Sequence, residues 1–185
     1  PSLSAHIDSK RIALLGHSIG GYTALVVSGA IASTKDLIDL CKKRPSISDP
    51  YCKPVLEKLL TQDVIIKSKE ARIKAQILMA PVGALFLSKT SFDNVNIPTL
   101  LLVPEKDHEL TKKYNADVIK NALQNKGILT YKIIPNAGHY SFLTTYPDFL
   151  KTELGAIAQD PVGFDRIKFQ KTLGNQFATY LKKVL

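Results

Sequence analysis

Hydrophobic residues along the chain fall into four short, nearly continuous runs separated by longer segments with helical spacing. The four runs are "RIALLGHS" (residues 11–18), "AQILMAPV" (75–82), "IPTLLLVPEKD" (97–107) and "LTYKIIPNAGH" (129–139). Runs of this length without regular polar alternation are typical of strands buried in a parallel sheet. The first of them is therefore predicted to be a buried strand that ends at Gly16.

Three of the intervening segments have the spacing of helices. "GYTALVVSGAIA" (21–32) is small and apolar all round, which predicts a buried helix starting near Gly20. "LTKKYNADVIKNALQNKG" (110–127) is periodic and stops at a glycine, and "DRIKFQKTLGNQFATYLKKVL" (165–185) has one apolar stripe. Alternation of strands and helices predicts an α/β fold: a mainly parallel sheet with flanking helices and right-handed crossovers.

Residues 34–74 differ from the rest because they are charged and contain three prolines. Two amphipathic pieces, at 33–43 and 54–65, indicate short helices, and Ser33 with Asp36 fits a capping box for the first. A chain of 185 residues suits one domain. We therefore expect residues 34–74 to be a helical, lid-like insertion in a single domain spanning residues 1–185.

The chain is basic, with 25 Lys and Arg against 16 Asp and Glu and a formal net charge of +9. A positive charge of this size makes nucleic acid or anionic lipid a candidate partner. The basic residues are dispersed, however, and no aromatic side chains interleave with a basic stripe. We interpret them as solvated surface and expect no nucleic-acid partner. No apolar run approaches the roughly 18 residues of a membrane span.

The chain begins at Pro1, a few residues before the first strand, and has neither Met nor a signal peptide at that point. We expect it to be part of a longer protein, with N-terminal strands absent from these residues. "RIALLG" (11–16) would then be an exposed strand edge. Its partner would be the missing N-terminal segment or a second copy of the chain.

Cys41 and Cys52 are 11 positions apart, too far for a C-x-x-C redox or zinc motif. Spacing alone leaves two interpretations open: two free thiols, or a disulfide across the Pro/Ser-rich turn. A disulfide would contribute about 3 kcal/mol by restricting the unfolded chain. It would persist only in an oxidising compartment.

Candidate chemistry begins at "GHSIGG" (16–21), a G-x-S-x-G motif between the first strand and the first helix. A sharp turn there would lift the hydroxyl of Ser18 clear of the sheet. Gly16 and Gly20 are interpreted as positions where any side chain would collide with neighbouring backbone. The turn would also direct the amide of Ile19 at an oxyanion formed on a substrate attacked by Ser18.

Two partners for Ser18 follow later strands, since Asp107 ends the third run and His139 ends the fourth. Carboxyl ends of parallel strands meet at one edge of a sheet, where ligands bind. The order Ser, Asp, His is that of α/β-hydrolases. We therefore predict a triad in which His139 is the base and Asp107 orients its imidazole.

Other side chains compete for these assignments. Glu105 and Glu109 share the loop of Asp107, and Asp93 ends the preceding segment. The other three histidines are predicted to lie away from the site: His6 before the first strand, His17 below the turn and His108 in a solvated loop. The pattern still favours Asp107 and His139.

Five motifs stand out along the chain: "GHSIGG", "MAPVG", "IPTLLLVPEKD", "NAGHYSFL" and "DPVGFDR". Together they resemble the bacterial predicted dienelactone hydrolases, serine α/β-hydrolases related to platelet-activating-factor acetylhydrolases. The resemblance covers the whole chain and implies an α/β-hydrolase fold. It also implies that Ser18 is the nucleophile, Asp107 the acid, His139 the base and Ile19 one oxyanion donor.

The resemblance further implies a Cys41–Cys52 disulfide and a periplasmic or secreted protein. There are departures from the family. True dienelactone hydrolase uses a cysteine nucleophile where this chain has Ser18, and Pro104 stands where glycine is common before the acid. The loop that supplies the second oxyanion donor has no counterpart here, so these residues alone are expected to be a poor catalyst.

The sequence therefore predicts a serine hydrolase that cleaves small carboxylic esters through an acyl-serine, with no metal or cofactor. A peptidase of the prolyl-oligopeptidase type is the alternative within enzymes. A binding module that keeps the serine turn only as scaffold is the alternative outside them. Neither the acyl group nor the alcohol of the substrate follows from the residues.

Overall fold

The computed structural model describes residues 7–185, and its centre is a parallel sheet of four strands in the order β1-β4-β5-β6. A separate antiparallel ribbon pairs β2 with β3. The strands are β1 (Ile12–His17), β2 (Ile31–Ser33), β3 (Ile65–Lys67), β4 (Ile73–Met79), β5 (Thr99–Lys106) and β6 (Leu129–Gly138). All four predicted strands are present, and the predicted α/β fold with a mainly parallel sheet is confirmed.

Helices flank this sheet, and none that the structure describes is both long and apolar enough to cross a membrane. They are α1 (Ile19–Val27), α2 (Thr34–Lys43), α3 (Lys53–Leu56), α4 (Ala116–Gln124), α5 (Asp148–Leu154) and α6 (Arg166–Val184). The helix predicted over 21–32 ends early, because the chain turns at Gly29 with φ +108° and then enters β2. The short α5 was not predicted.

The core lies on both faces of the sheet, because successive side chains along β4 and β5 point to opposite faces. Leu78 and Leu101 pack into the larger cluster, with α1, α4 and the insertion. Ile77 and Leu100 pack into the smaller cluster, under α6. Each such side chain contributes about 1.5–3 kcal/mol when fully buried. Burial on both faces explains why these strands read as continuous apolar runs.

β1 differs from β4 and β5 because it lies at the edge of the sheet and pairs only with β4 among the described strands. Leu15, in the middle of β1, is 51% exposed. The interpretation of residues 11–18 as a fully buried strand is therefore wrong for the described residues. The expectation that residues 11–16 form an exposed edge agrees with the sheet order.

The insertion over 34–74 is less helical than predicted. Helix occupies α2 and the single turn of α3, whereas the amphipathic pattern had extended over 54–65. Ile65 instead begins β3, which pairs with β2. Ser33 does cap α2, since its Oγ accepts a hydrogen bond from the Asp36 amide at 3.3 Å. The Asp36 carboxylate completes no capping box and accepts from the Ser88 amide at 2.9 Å instead.

A disulfide joins Cys41 in α2 to Cys52 ahead of α3, with a Cα–Cα distance of 5.4 Å. Both cysteines are buried in the larger core cluster. Of the two interpretations that the spacing left open, the structure has the disulfide.

Candidate active site

Ser18 occupies the turn between β1 and α1, in a backbone conformation that non-glycine residues rarely adopt (φ 53°, ψ −118°). Four backbone hydrogen bonds hold it there. The Ser18 amide donates to the Met79 carbonyl at 2.9 Å, and the Ser18 carbonyl accepts from the amides of Gly21 at 2.9 Å, Tyr22 at 3.3 Å and Val82 at 3.2 Å. The turn is thereby anchored to the end of β4, and such strain is often found at functional positions.

The glycines around Ser18 have unequal roles. A Cβ at Gly16 would collide with the Gly20 carbonyl, so that position requires glycine, as predicted. A Cβ at Gly20 meets nothing within 4 Å, and the predicted collision there is wrong. The second required position is Gly21, where a Cβ would lie 2.6 Å from the Cβ of Pro81. Gly21 lets α1 approach the loop after β4.

The structure brings Ser18, His139 and Asp107 together in one hydrogen-bonded chain. Ser18 Oγ lies 2.9 Å from His139 Nε2, and His139 Nδ1 lies 3.0 Å from Asp107 Oδ2. His139 is only 5% exposed. The other Asp107 oxygen accepts from the amides of Glu109 at 3.0 Å and Leu110 at 2.9 Å, which fixes the carboxylate facing the imidazole. A neutral imidazole in this setting can accept the serine proton.

The competing acids lie elsewhere. The Glu105 carboxylate accepts from the Asn136 amide at 2.7 Å and so is bound to the β6 strand. Glu109 contributes its backbone amide to Asp107, and Asp93 is exposed in the connection between β4 and β5. His108 is exposed, as predicted. His6 lies outside the described residues.

His17 was predicted to point below the turn, but its side chain contacts the His139 loop. His17 Nε2 lies 2.8 Å from the His139 carbonyl, and the two rings are 4.9 Å apart. Since a carbonyl only accepts, Nε2 of His17 carries the hydrogen. Burial lowers the pKa of His17, which keeps the ring neutral. Nothing in the linear sequence indicates this contact.

A buried ion pair supports the other side of the His139 loop. The Gly138 amide donates to Ser141 Oγ at 3.0 Å, and Ser141 donates to Asp160 at 3.1 Å. Arg166, 3% exposed, binds Asp160 at 2.9 Å through Nε. The sequence reasoning gave neither residue a role, although both lie in the quoted "DPVGFDR" motif.

Ile19 is the first residue of α1 and directly follows Ser18. Its amide is at a helix N-terminus, where N–H groups have no partner within the helix and the helix dipole favours negative charge. The Ile19 side chain is exposed and leaves that end of α1 accessible. This position suits the predicted donor, although its role is a prediction.

A cavity of about 210 Å³ lies beside the imidazole. Its wall is formed by Lys106, His108, Glu109, Gly138, His139, Tyr140, Ala156, Gln159, Asp160 and Pro161. A larger hollow between residues 145–148 and 158–167 contains none of the three hydrogen-bonded side chains. Within residues 7–185 no group of three or more potential metal ligands is clustered.

The parallel sheet, its flanking helices and the serine at the strand-to-helix turn give the chain an α/β-hydrolase fold, as predicted. No family model matches the sequence. The chain is 30% identical over 146 residues to the non-reducing polyketide synthase nscA of Trichophyton rubrum, covering 78% of this chain and 7% of that protein.

Two solved structures are similar to the chain at lower identity. A predicted CIB-like hydrolase from Thermoplasma acidophilum is 15% identical with a TM-score of 0.42, covering 96% of this chain and 55% of that one. The carboxylesterase Cest-2923 from Lactobacillus plantarum is 14% identical with a TM-score of 0.46, covering 98% and 62%. The chain thus spans less than two thirds of each of these three proteins.

Proposed function

We propose that the chain carries the nucleophile, acid and base of a serine hydrolase that cleaves carboxylic esters. The observation that supports this most is the continuous hydrogen-bonded chain from Ser18 Oγ through His139 to Asp107. It lies at the carboxyl edge of the parallel sheet, where α/β proteins bind ligands. A structural serine would have no need of a strained turn facing a buried imidazole.

In this proposal Ser18 Oγ attacks the ester carbonyl carbon while His139 Nε2 takes the hydroxyl proton. Asp107 keeps Nδ1 protonated and stabilises the imidazolium. Collapse of the tetrahedral intermediate breaks the bond to the alcohol oxygen, which receives the proton from His139. Water then attacks the acyl-serine with the same base, releases the acid and restores the serine.

The negative oxygen of each tetrahedral intermediate needs hydrogen-bond donors. The Ile19 amide is the donor that these residues supply in this proposal, and a second would come from elsewhere in the full protein. Loss of one such donor typically costs about 10²–10³ in rate. The insertion over 34–74 would cover the site in the manner of a lid.

The substrate class is proposed from the motif resemblance: a small carboxylic ester, in a protein related to the dienelactone hydrolase and platelet-activating-factor acetylhydrolase group. The similarity to part of a polyketide synthase is a reason to test an acyl thioester as well, because thioesters undergo the same acyl transfer.

A fluorophosphonate probe tests this proposal in the full protein. Wild type should be labelled and should hydrolyse short acyl esters, and Ser18→Ala should lose both. Ser46→Ala is the matched control, since Ser46 is exposed in the insertion. Labelling with turnover of peptide amides alone would indicate the peptidase alternative. Absence of labelling would indicate a binding module and refute the proposal.

A further inference from the structure

A second buried carboxylate lies in the insertion, at Asp49, which is 3% exposed. Four donors point at its two oxygens: the Tyr51 hydroxyl at 2.6 Å, the Thr111 amide at 2.9 Å, the Thr111 hydroxyl at 2.5 Å and the Asn115 side-chain amide at 2.8 Å. No cationic side chain that the structure describes pairs with Asp49.

Two partners of Asp49, Thr111 and Asn115, belong to the segment between β5 and α4 that also carries Asp107. Thr111 ends the loop whose amides, from Glu109 and Leu110, hold Asp107. That loop is therefore fixed at one end by the Asp107 contact with His139 and at the other by Asp49.

Asn115 connects Asp49 to the turn at Ser18. Its side-chain oxygen accepts from the Gly83 amide at 2.9 Å. The preceding residue, Val82, donates its own amide to the Ser18 carbonyl at 3.2 Å. A single carboxylate thus links the insertion both to the loop of the acid and to the loop that holds the strained serine.

The disulfide holds Asp49 in place. The Cys52 amide donates to the Asp49 carbonyl at 2.9 Å, so the two residues share one tight turn. The bond from Cys52 to Cys41 attaches this turn to α2, which is packed in the core. Without the disulfide, the turn would lose its covalent attachment to α2 and keep its local hydrogen bonds, the Asp49 contacts and the packing of Val55 in the core.

We propose that Asp49 is a positioning residue for Asp107 and Ser18, and that the Cys41–Cys52 disulfide is required for it to act. This inference rests on the proposed function. Removing the carboxylate leaves one buried donor, on Asn115, and three part-buried donors without an acceptor, which is more damaging than the loss of the bonds alone. Displacement of catalytic groups by about 1 Å can cost on the order of 10² in rate.

The first test compares isosteric variants of the full protein in the disulfide-bonded state. Asp49→Asn should lower kcat for a short acyl ester by about 10- to 100-fold, with KM changed less than about two-fold, because Asp49 is buried and does not line the cavity beside His139. Asp39→Asn, at an exposed ion pair in the same insertion, should leave kcat unchanged. Thr111→Val should lose part of the turnover and Thr111→Ser should recover it, since serine keeps the hydroxyl.

The second test uses reduction of the disulfide. Reduction should lower kcat of wild type, yet change the kcat of Asp49→Asn by less than about two-fold, since both changes act through the same contact. If reduction lowered kcat equally in the two proteins, the disulfide would act independently of Asp49, and that part of the inference would be wrong. Wild-type kcat in folded Asp49→Asn would overturn it entirely.

Hydrogen exchange tests the positioning role of Asp49 without depending on activity. The amides of Glu109, Leu110 and Thr111 should exchange faster in Asp49→Asn than in wild type, while β4 and β5 keep their protection. Unchanged exchange at these three amides would refute the positioning role even if turnover fell. If wild type neither hydrolyses esters nor reacts with the fluorophosphonate, the proposed function fails, and the exchange result still shows whether Asp49 holds the loop.

Discussion

The central sheet and the insertion over 34–74 are held together by different means. In β4 and β5 almost every side chain is buried, so stability is spread over many interchangeable apolar contacts. The insertion buries fewer apolar side chains, from α2 and α3, and depends in addition on a disulfide, a ribbon of three residue pairs and the carboxylate of Asp49. The proposed active site lies where the two regions meet.

This contrast has a consequence for substitutions. Volume-conserving changes in the sheet should cost little, since cores tolerate repacking when patterning is kept. In the insertion a single change can remove a large share of what orders the segment. Side chains at the carboxyl edge of the sheet form a third case, because changing them should affect turnover far more than stability.

The largest effect is expected from the acid at that edge. Asp107→Asn should reduce ester turnover by about 10⁴-fold, because the imidazole would be left in the wrong tautomer. Glu105→Gln is the control, since Glu105 binds the Asn136 amide instead. Steady-state kinetics on both variants decides it. If Glu105→Gln lost most of its turnover while Asp107→Asn kept nearly all of it, the assignment of Asp107 as the acid would be wrong.

The next effect concerns the insertion. Replacing Cys41 and Cys52 together by serine should lower the free energy of unfolding by about 3 kcal/mol, the cost of freeing a short loop in the unfolded chain. Urea denaturation measures the loss, and hydrogen exchange should place the loosening in residues 34–74. Equal loosening of β4 and β5 would mean that the two regions are not separately stabilised.

A smaller effect is expected at the turn, where two glycines can be compared directly. Gly16→Ala should destabilise the protein by about 2 kcal/mol, since the added Cβ meets backbone that cannot move away. Gly20→Ala should be neutral or stabilising by about 0.5–1 kcal/mol, because the space is open and alanine favours helix. Thermal unfolding of the two variants tests this, and equal destabilisation would contradict it.

The smallest expected effect is a pH dependence. Burial lowers the pKa of His17 below its usual 6.5. Below about pH 6.5 the unfolded chain binds a proton that the folded chain does not, so stability falls until the lowered pKa is reached. The slope is at most about 1.4 kcal/mol per pH unit for one proton.

His17→Gln provides the comparison, because a glutamine amide can still donate to the His139 carbonyl but does not titrate. Between pH 7.5 and 5.5 wild type should lose more unfolding free energy than this variant. Urea denaturation at both pH values measures it. Parallel losses in the two proteins would show that His17 does not titrate in this range.

The parts of the fold that the sequence predicted are those set by burial. β4, β5 and β6 were found because strands within a parallel sheet read as apolar runs, and α6 because its stripe faces the sheet. Ser18, Asp107 and His139 were found because strand ends converge. These inferences use only local patterns and one topological rule.

The parts that were missed depend on contacts between distant residues. The segment over 54–65 had helical spacing, yet pairing of β3 with β2 decides its conformation. Asp49 lies in a polar turn and gains its partners only when residues 111 and 115 fold against it. Gly20 was misread because a collision can be judged only once the neighbouring backbone is placed.

The contacts of Arg166 bear on how the cavity beside His139 can change shape. Its guanidinium binds the Asp160 carboxylate and the carbonyls of Thr144, Ile157 and Gln159. These bonds hold the segments around residues 144 and 157–160, and with them one part of the cavity wall, to the start of α6. The loop over 106–109 also lines the cavity but makes none of these bonds. We therefore expect a ligand that widens the cavity to strain this loop first, and with it the position of Asp107.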